Sequence, residues 1–205
     1  MTFFSRGVSA AVLSLSLFNI GASAQVRVGA PAPAFTATDS NGQTHSLSQY
    51  HGKYVVLEWH NQGCPFTRKH YVSGNMQNLQ KEWTTKGVVW LTVISSPPGQ
   101  QGFVTPAQEN VYLEKMHAAP TAVLMDSDGK VGHLFNAKTT PQMFVINPDG
   151  NLIYAGAIDD KPTPDVDDIR GADNYVNDAL TAAMAGKPIA TVFTRSYGCS
   201  VKYRD

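Results

Sequence analysis

The sequence predicts an α/β protein with a mixed central sheet, helices on both of its faces and a β-hairpin extension near the N-terminus. Two short runs of β-branched and aromatic residues, Tyr54 to Trp59 and Val88 to Ile94, enclose a segment with helical spacing. Strand, helix and strand in that order imply a parallel pair with a right-handed crossover. Further on, Gln142 to Ile146 and Asn151 to Ala155 flank Asn147-Pro148-Asp149-Gly150, which is the pattern of an antiparallel hairpin. A sheet mixing both pairings, with helices between and after its strands, is covered on two sides.

The first residues form the basic, apolar, small-residue order of a secretory signal peptide: Arg6, an apolar run from Val8 to Ile20, then Gly21-Ala22-Ser23-Ala24. Cleavage is expected after Ala24. The apolar run is shorter than the roughly 20 residues of a bilayer span, so residues 1–24 read as a leader and not as an anchor. A single domain over residues 25–188 and a tail over 189–205 follow, and no later stretch is apolar enough to span a membrane.

Along the domain, Ala34 to Thr38 and Gln43 to Leu47 flank the turn cluster Asp39-Ser40-Asn41-Gly42 and read as the hairpin extension. From Pro65 to about Trp83 a helix is expected, with Met76, Leu79 and Trp83 on one face and Pro65 in the first turn, where its missing N–H costs nothing. Ser95 to Thr105 is a loop, and Pro106 opens a helix to about Met116. Thr121 to Met125 is a strand followed by the turn Asp126 to Gly129. Asp159 to Gly171 reads as an acidic, solvated loop. Asn174 to Ala185 is a helix stopped by Gly186 and Pro188.

The chain has 16 basic and 16 acidic residues, so no net field draws it to nucleic acid or to an anionic membrane. No nucleotide, haem or flavin motif is present, and any catalysis is expected to be cofactor-free. There are two cysteines, Cys64 and Cys199, and export would deliver both to an oxidising compartment. A chain of this size does not need one bridge to hold its core, so the surroundings of each cysteine decide its role.

Cys64 stands where a buried strand ends and a helix begins, which sets its sulfur at the positive end of a helix dipole. Such a position stabilises the thiolate, which is the nucleophilic form. Thr67, one helical turn on, brings a hydroxyl near the sulfur, either as a donor to it or to satisfy backbone in the first turn. Thr139-Thr140-Pro141 precedes an apolar strand, a place where a cis proline can form a tight turn.

These residues resemble the thioredoxin-like redoxins of AhpC/TSA type, and most closely the peroxiredoxin-like thioredoxin-fold proteins. The likeness runs through Gly29 to Phe35, Gly52 to Trp59, Gly63-Cys64-Pro65-Phe66, Thr140 to Val145 and Pro148-Asp149-Gly150. It continues in Tyr154 to Asp160, Ala185-Gly186-Lys187-Pro188 and Gly198 to Tyr203. The resemblance implies a thioredoxin fold, a cis proline at Pro141 facing the cysteine, and redox chemistry at Cys64. By the same resemblance Cys64 takes the place of the attacking cysteine of a Cys-x-x-Cys motif, and Thr67 stands where the second would be. Exchange within the motif is therefore impossible. Asn61 and Leu57 occupy the positions of the peroxiredoxin Thr and Pro, and neither matches.

Cys199 is then a candidate resolving thiol, provided the tail returns over the active face. The function expected is thiol–disulfide exchange on a protein or small-molecule disulfide with a thiol electron donor. The alternative is a thiol peroxidase using the same Cys64. Copper handling through His60, Cys64 and His70, or a non-catalytic binding role, are further readings.

Overall fold

Strand β3 (Val55–Trp59) organises the molecule, because all five of its residues are buried and it is hydrogen-bonded on both edges. The computed structural model describes residues 26–204; the expected leader lies outside them. β3 pairs in parallel with β4 (Val89–Ile94), as a β-α-β crossover requires, and antiparallel with β7 (Gln142–Ile146). β4 carries β5 (Ala122–Met125) in parallel, and β7 carries β8 (Leu152–Gly156) antiparallel, giving the order β5-β4-β3-β7-β8. β1 (Thr36–Thr38) and β2 (Thr44–Ser46) form the expected hairpin extension, which touches the sheet through a bridge from Asp39 to Leu124.

Alternation along β3 builds two cores. Val55, Leu57 and Trp59 join Leu91, Val93, Phe135 and Phe144 on one face. Val56 joins Trp90, Val145 and Tyr154 on the other, under α1 (Pro65–Val72), α2 (Asn75–Thr85) and α5 (Tyr175–Met184). α3 (Pro106–Met116) lies beside this second face and starts on a capping box made by Thr105 and Gln108. Each fully buried large apolar side chain contributes about 1.5–3 kcal/mol, so the two cores can carry polar groups buried between them.

The structure departs from the sequence expectations in four places. The helix expected from Pro65 to Trp83 is two helices, because Ser73 caps the first and Gly74, at φ 78°, enters the left-handed region before the second. A short helix, α4 (Lys130–Phe135), follows the turn after β5, its first N–H groups bonded to the buried Asp126 carboxylate. Asp159, expected on a solvated loop, is only 2 % exposed. Finally, β6 (Thr139–Thr140) and β9 (Cys199–Ser200) form a two-stranded antiparallel ladder, which brings the tail back to the domain.

Candidate active site

The carboxyl end of β3 delivers the chain to α1 through a turn that the sequence closes locally. The Asn61 side chain accepts from the Gly63 N–H at 2.9 Å and the Asn61 carbonyl from the Cys64 N–H at 3.0 Å. Cys64 is the N-cap of α1 with extended backbone, Pro65 fills the first helical position, and the Arg68 N–H closes the first turn on the Cys64 carbonyl. The Cys64 side chain thus lies at the helix N-terminus, as expected, and it is fully buried.

Its cover is the β6–β9 ladder. The Thr140–Pro141 peptide is cis, and the Cys64 thiol donates to the Thr140 carbonyl at 3.0 Å. Thr140 in turn pairs in register with Cys199, which brings the tail cysteine beside the carbonyl that Cys64 bonds. Both cysteines are free. The tail comes this close because residue 198 is glycine: its φ is 121°, and a Cβ there would stand 2.1 Å from the Thr140 carbonyl oxygen.

Burial alone raises the Cys64 thiol, yet hydrogen bonds from the Cys199 thiol, the Thr67 N–H, the Thr140 hydroxyl and the Cys199 backbone hold it below the ordinary cysteine value. Cys199 moves the other way. Burial, and then the hydrogen bond and charge of Cys64, push it up to about 12, with Lys202 opposing. Of the pair, Cys64 ionises first and Cys199 keeps its proton, which is the division between an attacking thiol and a waiting one.

Thr67 contributes differently from the side-chain expectation. Its backbone N–H faces the sulfur, while its hydroxyl is buried without a hydrogen-bond partner. Asn61, at the peroxiredoxin threonine position, is committed to Gly63 and to Gln101, and Leu57 lies in the first core. His60 and His70 are both buried, and among the described residues no three His, Cys, Asp or Glu side chains converge as metal ligands.

Behind the cysteine, on the second face, lies a buried polar cluster. Glu58 in β3 accepts from Tyr71 (2.8 Å), Trp90 (2.8 Å), Gln80 (3.1 Å) and Thr92 (3.1 Å). His60 stands 3.6 Å from Glu58 and 4.0 Å from Glu109 of α3. Burial disfavours the imidazolium, but Glu58 and Glu109, with Cys64 behind them, hold His60 above the usual imidazole value. Reasoning from sequence missed this cluster, as it missed Thr140. The signal available was Glu58 itself, a carboxylate inside an otherwise apolar strand.

Comparison with known proteins agrees with the fold. Over 127 residues, 61 % of this chain, the sequence is 28 % identical to the thiol-disulfide oxidoreductase ResA of Bacillus subtilis (strain 168). The match spans 64 % of that relative's length. Among solved structures, a hypothetical protein of Sinorhizobium meliloti 1021 superposes with a TM-score of 0.75 at 20 % identity, covering 88 % of this chain and 96 % of the other. The solution structure of a thiol:disulfide interchange protein from Bacteroides sp. superposes with a TM-score of 0.51 at 22 % identity, covering 63 % and 81 %. These likenesses show a thioredoxin fold. Residues 28–155 match the sequence profile of the AhpC/TSA family, more than half of the chain, and the protein belongs to that family.

Proposed function

We propose that the protein is an exported thiol–disulfide oxidoreductase in which Cys64 attacks and Cys199 resolves. The observation that carries this is the antiparallel register of Thr140 with Cys199, which brings the tail cysteine to the short ladder that covers Cys64. In the reaction the Cys64 thiolate attacks a substrate disulfide, forming a mixed disulfide and releasing one substrate thiolate. The Cys199 thiol loses its proton and attacks the Cys64 sulfur, forming the intramolecular disulfide and releasing the second thiol. Two protein thiols are oxidised, one substrate disulfide is reduced, and a thiol donor resets the pair. Export rests on the residue pattern of Met1 to Ala24, and no described helix is long and apolar enough to cross a membrane.

A peroxide substrate is the second reading, supported by the burial of Cys64, which favours a small oxidant. Fully reduced protein given one equivalent of a disulfide or of hydrogen peroxide, quenched by alkylation and mapped by mass, separates the two. Fast loss of two hydrogens with a Cys64–Cys199 linkage is expected with the disulfide. Cys199→Ser is expected to stop at the Cys64 mixed disulfide. Fast oxidation by peroxide alone makes the protein a peroxidase, and no linkage with either reagent overturns the resolving role of Cys199.

A further inference from the structure

The tail reaches Cys64 over a buried ionic cluster that the exchange chemistry does not use. Asp159 follows β8 and is 2 % exposed. Its Oδ1 accepts from the Tyr197 hydroxyl and from the Lys161 N–H, while its Oδ2 has no hydrogen-bond partner. That free oxygen lies 3.8 Å from Lys69 Nζ and 3.8 Å from His70 Nε2, both on α1 and both with fully buried side chains. Lys69 donates to the Lys161 carbonyl at 2.6 Å and sits 5.3 Å from the centre of the Tyr197 ring, which lies 5.9 Å from Phe66 and whose hydroxyl is 3.4 Å from His70 Nε2. Charges buried this deeply cost several kcal/mol unless paired, and the group from the tail that completes the pairing is Tyr197. It stands two residues before Cys199, on the segment that enters β9.

We infer that Tyr197 is a positioning residue: clamped by Asp159 and Lys69, it latches the tail to α1 and sets the effective concentration of Cys199 at Cys64. The inference rests on the resolving role proposed above for Cys199. A tethered thiol reacts according to how much of the time its tether holds it in place. β9 is two residues long and its ladder is too short to hold the tail alone. Thr194 bonds to Ala155 and Ala157, and Val201 and Tyr203 bond to Lys138 and Ala137; the latch adds a hold on α1, at a distance from the sulfurs.

The test is equilibration of the full chain with reduced and oxidised glutathione, the three species (dithiol, glutathione mixed disulfide at Cys64, intramolecular disulfide) being counted by mass. Oxidation of the dithiol consumes one glutathione disulfide and releases two glutathione thiols. In Tyr197→Phe, which removes only the hydroxyl and with it the bonds to Asp159 and His70, the effective concentration of Cys199 is expected to fall about tenfold, the bond to the charged Asp159 carrying most of it. Tyr197→Ala, which also removes the ring, is expected to fall further. In a Cys199→Ser background, Tyr197→Phe is expected to leave the Cys64 mixed-disulfide constant unchanged, which a general loosening of the site would not do. An unchanged effective concentration in Tyr197→Phe overturns the latch, and so does a parallel fall in the Cys199→Ser background. If the wild-type chain itself forms no intramolecular disulfide, the functional reading falls and the latch with it.

Discussion

Two buried charged clusters flank α1, and they differ in where their partners come from. In the Glu58 cluster, drawn from β3, β4, α1, α2 and α3, the Glu58 carboxylate accepts four hydrogen bonds from the sheet and helices, while His60 and Glu109 make only ion-pair contacts. The Asp159 cluster joins α1 to loop and tail, leaves one carboxylate oxygen unpartnered, and depends on Tyr197 from the last ten residues. Glu58 itself, satisfied on both oxygens by core donors, specifies one arrangement. A partly satisfied group at the edge of the core is held only while its cover stays in place. The contrast separates a region that fixes Cys64 from a region that controls what reaches it.

That comparison can be broken most directly at Glu58. Glu58→Ala strands the Tyr71, Gln80, Trp90 and Thr92 donors in the core, and is expected to cost about 3–5 kcal/mol of stability by urea denaturation. A cost below about 1 kcal/mol would show that the first cluster is no more rigid than the second.

The second cluster is sharpened by acid. Burial, reinforced by the charge of Lys69, pushes His70 down to about 3, while its Asn75 partner donates to Nδ1 at 2.9 Å. Between the ordinary imidazole value of about 6.5 and that value, the unfolded chain binds a proton at His70 that the native chain does not, so stability falls as pH falls. In His70→Gln this contribution disappears, and the slope of stability between pH 6 and pH 4 is expected to lessen by about 1.4 kcal/mol per pH unit. An unaltered slope would place His70 in contact with solvent. Asp159, pushed up by burial despite the Tyr197 bond, titrates beside it with the opposite sign.

The smallest effect is expected at the sulfurs. Because the Cys199 thiol leads the hydrogen bonds that lower Cys64, Cys199→Ala is expected to shift the Cys64 thiolate absorbance titration to higher pH. A titration that stays in place would assign the lowered value to the helix N-terminus and to Thr140 instead.

What could be read from the sequence was what local pattern encodes. β3, β4 and the β7–β8 hairpin follow from runs of apolar and β-branched residues bounded by turn residues, and Cys64 follows from the coincidence of strand end, proline and helix start. The break at Ser73-Gly74 was missed because Met76, Leu79 and Trp83 kept helical spacing beyond it. β6 and β9 were missed because two residues carry no period. The place of Cys199 was left open for a related reason. It is set by Tyr197 on Asp159, by Thr194 packed against Gly156, and by Gly198 against Thr140, contacts whose partners are distant in sequence. Asp159 was misread because acidic neighbours suggest a wet loop, and only the fold shows that it turns inward.

Cys64 and Cys199 are separated by about two thirds of the sequence, yet Thr140 touches both. A bond between them would therefore tie a loop around nearly the whole sheet, restricting the denatured chain far more than the native one. In the chain-entropy account, loops of such length add about 4–5 kcal/mol. The electron count at one corner of the molecule would then be written into the durability of all of it.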